Sequence, residues 1–159
     1  MRKIKAQKLT KEAFAPFVSY YNLTKPEGPH LGSFYHDPVR NPVSGSIPMA
    51  FSSLVTEKPD KMIIDSAEYH NTTGEVILPL DGDVIVHVAP PSKDPVPEET
   101  KAFVVPCGTV VRLHVGVWHL APFSLEGTTH VMICLPERTY FNDCTVVNYK
   151  EEEKIEVVI

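Results

Sequence analysis

Residues 68–82 read EYHNTTGEVILPLDG, and the fold turns on how this stretch is read. Glu68 and His70 are two apart, so on a strand they point to the same face. Asn71-Thr72-Thr73-Gly74 supplies turn chemistry, with Gly74 available for a positive φ. Glu75 opens the apolar run VILPL, which stops at Asp81-Gly82, a second tight-turn signal. The pattern predicts a hairpin that brings the Glu75 carboxylate back beside Glu68 and His70. Two carboxylates and an imidazole converging inside a β structure are either metal ligands or an acid/base cluster. A fourth candidate, His119, closes the stretch GTVVRLHVGVWH at residues 108–119.

Outward from this stretch the text is β on both sides. MAFSSLV (49–55) and KMIIDSAEYH (61–70) precede it, and DVIVHVA (83–89) follows, with Val84, Val86 and Val88 on one face. AFVVP, TVVRLHV, THVMICL and TVVNY come at short intervals, and KIEVVI closes the chain after an acidic EEE. PPSKDPVPEE (90–99) reads as an exposed, proline-rich excursion from this pattern. Pro26, Gly28, Pro29, Gly32, Pro38, Pro42, Gly45 and Pro48 limit residues 22–48 to loops and short edge strands. His30, Tyr35 and His36 lie there and read as surface residues unless the loop covers a barrel mouth. Helix is expected only near the N-terminus: Thr10 as N-cap, Glu12 in the first turn, Phe14 and Phe17 on an apolar face, and Pro16 as its limit. Many short strands with regular turn signals predict an all-β sandwich or barrel, with no internal domain boundary over 1–159.

Composition narrows the class. At 159 residues the chain is long enough for one full core, and 43% hydrophobic with 22% charged residues is ordinary for a soluble protein. The net charge of −5 and the lack of a Lys/Arg run argue against nucleic acid as a partner. No apolar stretch suits a membrane span, and MRKIKAQKLTKEAF lacks a signal-peptide core. Cys107, Cys134 and Cys144 are odd in number and widely spaced, which points to reduced thiols and a cytoplasmic setting.

The register of His70, Glu75 and Gly82 resembles the first motif of the cupin superfamily, with Glu68 standing where its first His would be. Gly108, Gly116 and His119 match the second motif's G-x5-P-x-G-x2-H frame, with His114 in place of the proline. A closer resemblance runs along most of the chain. KLTKEAFAPF (8–17), ILPLDGDVIVHV (77–88), HVGVWH (114–119) and NDCTV (142–146) resemble the ureidoglycolate lyase family of small cupins, on whose pattern His70, His114, Trp118 and His119 fall. Many of its members carry Gln where this chain has Glu75.

The resemblance implies a cupin-type β-barrel (a double-stranded β-helix, or jelly roll) with a short N-terminal helix, and a homodimer. It implies cleavage of ureidoglycolate to glyoxylate and urea in allantoin (purine) catabolism, or action on a related small α-hydroxy acid. Glu68, His70, Glu75 and His119 are the expected ligands of a divalent ion such as Ni, Mn, Fe or Zn. His114 and Glu75 are the candidates for proton transfer, and Arg112 for holding the substrate carboxylate. The KIEVVI strand and the N-terminal segment offer edges for a second copy.

Each residue also has a plainer reading. Glu68 and Glu75 can be solvated strand residues, His70 and His119 structural, Arg112 and His114 outward-facing, and Trp118 core. His87 and His130 read as interior or edge residues. A different cupin enzyme, or a non-catalytic cupin that binds a small anion or sugar, is the alternative class.

Overall fold

The structure, a computed structural model, describes residues 1–43 and 45–159. Chain order begins with β1 (Arg2–Lys5), β2 (Gln7–Lys8), the helix α1 (Lys11–Phe14), β3 (Val18–Asn22), β4 (His30–Leu31), β5 (Phe34–Tyr35) and β6 (Met49–Glu57). It continues through β7 (Met62–Ile64), β8 (Ser66–Tyr69), β9 (Val76–Pro79), β10 (Val84–Ala89), β11 (Lys101–Val105) and β12 (Thr109–Leu113). The rest is β13 (Trp118–His119), β14 (Phe123–Ser124), β15 (Thr128–Pro136), the helix α2 (Thr139–Asn142), β16 (Thr145–Asn148) and β17 (Ile155–Val158).

Every residue of β10 is buried, which requires a cover on each face of the sheet that holds it. Its alternation shows what the covers are. Val84, Val86 and Val88 enter one core with Phe103, Val105, Ile77, Val111, Leu113 and Val131. Ile85 and Ala89 enter a second core with Ala102, Trp118, Ile64, Ile155 and Val157. A seven-stranded sheet (β16-β8-β13-β10-β11-β2, with β14 also on β10) therefore lies between two others. One is a five-stranded sheet, β3-β12-β9-β15-β6, and the other a three-stranded sheet, β1-β17-β7. The seven- and five-stranded sheets face each other as the two walls of an open barrel, so the all-β expectation holds.

The N-terminal helix forms where expected. Thr10 Oγ1 accepts from the Ala13 backbone N–H at 3.2 Å, Phe14 and Phe17 are buried, and the helix ends before Pro16. Phe14 packs 4.7 Å from Phe103, centroid to centroid.

Three expectations are corrected. Residues 68–79 do not form a hairpin: β8 pairs with β13 and β16, whereas β9 pairs with β12 and β15. The 70–75 segment crosses from one wall of the barrel to the other. Gly74 is needed for close approach rather than for a positive φ, since a Cβ there would lie 2.2 Å from the Leu113 carbonyl oxygen. The C-terminal strand is not a free edge either, whereas β1 stands at the edge of its sheet. β17 is the middle strand of its sheet, paired with β1 on one side and β7 on the other.

Candidate metal centre

The crossing segment explains why the four candidate side chains meet. Glu68 on β8 is the register partner of His119 on β13, so the two leave the seven-stranded sheet on one face. Val88 is also paired with His119 and points into the core between the walls, which fixes that face as the interior. His70 is two residues beyond Glu68. Glu75 arrives from the opposite wall, in phase with the buried Ile77, and its carbonyl accepts from the Leu113 N–H at 2.8 Å. One ligand atom from each of Glu68, His70, Glu75 and His119 lies within 4.8 Å of every other.

Glu75 Oε2 is the hub. It lies 3.2 Å from His70 Nε2 and 3.3 Å from His119 Nε2, with all three side chains almost wholly buried. Glu68 Oε1 is 3.9 Å from His119 Nε2, and Glu68 is the most exposed of the four. The other nitrogen of each ring is already committed. His70 Nδ1 donates to the Asp143 carbonyl at 2.6 Å, and His119 Nδ1 donates to the Val117 carbonyl at 2.9 Å. A carbonyl only accepts, so both rings carry hydrogen on Nδ1 and aim Nε2 at the carboxylate. A neutral ring in that tautomer presents a lone pair to Glu75, which is repulsive. A proton on Nε2 or a metal cation removes the conflict.

The electrostatics follow the same logic. Burial alone would push the Glu75 carboxyl up, but the two imidazoles, His119 above all, bring it down to about 2. Burial would likewise push His119 down, and the charge and hydrogen bond of Glu75 outweigh it, holding the imidazole above its ordinary value. Two buried imidazoles with fixed tautomers and two carboxylates form a donor set that fits a borderline divalent cation.

The segment after α2 braces this centre. The Asp143 carboxylate accepts from the backbone N–H groups of Asn71 and Thr72, both at 2.8 Å, and from Thr72 Oγ1 at 2.6 Å. Burial raises the Asp143 carboxyl, yet these donors win and hold it below its ordinary value. Cys144 Sγ donates to Glu68 Oε2 at 3.1 Å, and burial followed by the Glu68 contact pushes the thiol up to about 12. It is therefore a protonated donor. Sequence reasoning noted NDCTV only as part of a resemblance and gave Asp143 and Cys144 no role. Their partners are more than 70 residues away, and no local pattern points to them.

Arg112 and His114 are not brought to the cluster. Val111 and Leu113 fill the core, so the alternate residues Arg112 and His114 leave the five-stranded sheet on its other face. There Arg112 Nη1 donates to His114 Nδ1 at 2.7 Å, and Arg112 Nε donates to Asn41 Oδ1 at 3.1 Å. Burial and the adjacent guanidinium push His114 down, so it is the neutral acceptor of this pair. Trp118 is core: it meets Tyr69 edge-on at 4.5 Å and donates from Nε1 to Ser92 Oγ at 3.0 Å. That contact ties the 90–99 excursion to the body. His87 is buried on the second core's side, stacked on Phe123, and burial pushes it down to about 3. His130 makes an exposed pair with Asp81 at 2.6 Å.

The cluster opens into a cleft of about 280 Å³, walled by apolar residues that include Leu54, Ile133 and Leu135, with Arg138, Tyr140 and Cys144 also lining it. A larger cleft of about 560 Å³ lies over Tyr20, Tyr35, His36 and Arg40 and contains none of the four. Volume alone favours the larger cleft, whereas the imidazoles and carboxylates lie at the smaller.

Comparisons with known proteins bear on what such a centre does. A family model described as ureidoglycolate lyase matches residues 1–156. Ureidoglycolate lyases of Pseudomonas paraeruginosa (strain DSM 24068 / PA7) and Pseudomonas aeruginosa (strain UCBPP-PA14) are each 27% identical over 164 aligned residues, covering 98% of this chain and 95% of theirs. That of Stutzerimonas stutzeri (strain A1501) is 26% identical over the same coverage. Among solved structures, Bacillus subtilis oxalate decarboxylase superposes with a TM-score of 0.45 at 14% identity, over 63% of this chain and 23% of that one.

Proposed function

We propose, from the premise that the chain belongs to the ureidoglycolate lyase family and is an enzyme of it, that it cleaves ureidoglycolate to glyoxylate and urea. The observation that carries the proposal is the convergence of buried His70, Glu75 and His119 with half-buried Glu68 beside a small cleft, in a chain matched over nearly its whole length. His70, His119 and Glu75 would hold a divalent cation, Ni, Mn, Fe or Zn, with Glu68 also within reach. Such a cation, when bound, supplies Lewis-acid polarisation of the substrate hydroxyl.

The chain's own groups then account for the protons. The hydroxyl of the α-hydroxy acid loses its proton, its oxygen forms the new carbonyl, and the C–N bond breaks. The leaving nitrogen takes up one proton, so urea departs with no net change in protons. We assign both transfers to carboxylates on the inner face. Glu68 is the better placed, because it borders the cleft and Cys144 occupies only one of its oxygens. Glu75, held down at about 2, is the weaker base and the better anchor. His114 and Arg112 have no part in this assignment, since their strand register turns them away.

The setting proposed is cytoplasmic allantoin catabolism, and the homodimer implied by the resemblance belongs to the same reading. Light scattering at micromolar concentration checks the dimer. The activity test is glyoxylate release from each enantiomer of ureidoglycolate, with metal content measured on the same preparation. Turnover of one enantiomer is expected. No turnover with Ni, Mn, Fe or Zn would hand the site to a binding role for a small anion or sugar.

A further inference from the structure

Arg138 is the only Lys or Arg among the described residues that line the cleft over the cluster. The cluster holds two carboxylates and two imidazoles, so it carries no permanent cation to meet an organic anion. The cleft walls are largely apolar. A ligand with a carboxylate therefore finds one fixed positive charge here.

The backbone at Arg138 adds an independent observation. Its φ of 63° and ψ of 22° lie in the left-handed region, which only one other non-glycine residue, Asp37, enters among those described. That conformation is disfavoured for a β-carbon-bearing residue, and glycine would adopt it freely. The flanks hold it in place. Glu137 N–H donates to the Pro48 carbonyl at 2.8 Å, Thr139 Oγ1 donates to the Pro136 carbonyl at 2.7 Å, and the Arg138 carbonyl accepts from Phe141 and Asn142. A turn that favours glycine but carries arginine points to a use for the side chain. The guanidinium is free for one: its side chain is 68% exposed, and its salt-bridge partner is the neighbouring, exposed Glu137 at 3.6 Å.

Resting on the lyase reading above, we propose that Arg138 binds the carboxylate of the α-hydroxy acid and sets the specificity of the cleft for anionic substrates. Arg138 takes the carboxylate contact expected of Arg112, from the face of the sheet where the chemistry is. A planar guanidinium suits a bidentate grip on a carboxylate, and holding that end turns the hydroxyl-bearing carbon toward Glu68 and Glu75.

The experiment compares wild type, Arg138→Gly and Arg138→Lys, all as metal-loaded full chains. Steady-state turnover of ureidoglycolate is measured beside calorimetric binding of glycolate, a bare α-hydroxy acid, and thermal melting. Arg138→Gly should raise KM and weaken glycolate binding about tenfold or more, with kcat changed much less. Its melting temperature should not fall, because glycine relieves the left-handed turn. Lys should restore part of the binding. Unchanged KM and unchanged glycolate affinity in Arg138→Gly overturn the inference. If wild type fails to turn over ureidoglycolate yet binds glycolate through Arg138, the substrate reading falls and this one stands. If wild type neither turns over ureidoglycolate nor binds glycolate, both fall.

Discussion

Two polar clusters sit on opposite faces of the five-stranded sheet, each built around histidine, to opposite effect. On the inner face His70 and His119 both aim Nε2 at the Glu75 carboxylate, at 3.2 and 3.3 Å. On the outer face His114 meets the Arg112 guanidinium, and burial together with that charge suppresses its protonation. His114 and His119 are five positions apart in sequence and end on different sides of the barrel wall. The difference teaches that residue type proposes a site and strand register decides it. The inner cluster has fixed tautomers, a charge conflict that a cation resolves, and an opening to a cleft. The outer one is already satisfied.

That contrast breaks most readily at His70. His70→Ala removes a donor that reaches Glu75 and should cut kcat/KM by about 10²-fold or more while stripping bound metal, read by turnover and metal analysis. The next effect is on folding. Gly74→Ala would press a Cβ against the Leu113 carbonyl at 2.2 Å, where the neighbour is backbone and cannot yield cheaply. A loss of about 2 kcal/mol or more is expected in denaturant unfolding, with disturbance of the inner cluster.

Asp143→Asn sharpens the comparison by loosening only the brace on the 70–75 crossing. It should cost about 1–2 kcal/mol at neutral pH, a figure already reduced for partial solvent exposure. The pH dependence has a definite sign. The Asp143 carboxyl is held below its ordinary value of 3.8, so its contribution is fully present above that value. It is lost as pH falls through the depressed folded value. The melting-temperature gap between wild type and Asp143→Asn should therefore close on acidification below about pH 4. The smallest effect belongs to the outer face. Arg112→Ala should leave kcat/KM within about twofold and cost stability through its bonds to Asn41 and His114 alone.

Much of the inner cluster was legible in the sequence, because a spacing of two on a strand and a known register along the chain pointed Glu68, His70, Glu75 and His119 toward one another, and the four do meet. The route was not legible. An Asn-Thr-Thr-Gly segment reads as a hairpin turn, and only the pairing of β8 and β9 with different partners reveals a crossing between walls. The alternation Val111, Arg112, Leu113, His114 did contain the answer for the outer pair, since two large apolar residues in phase claim the core side. The resemblance drew His114 toward the site against that alternation. Arg138, Asp143 and Cys144 act through tertiary contacts, for which a single sequence carries no periodic signal. Phe14 and Thr10 were readable because capping and apolar spacing are local.

The central claim is that the chemistry belongs to the inner face. It is tested most directly by measuring glyoxylate release from ureidoglycolate by His119→Ala and His114→Ala side by side, with the same divalent cation supplied to both. The expected result is near-complete loss for His119→Ala and near-normal activity for His114→Ala. An inactive His114→Ala beside an active His119→Ala would contradict it.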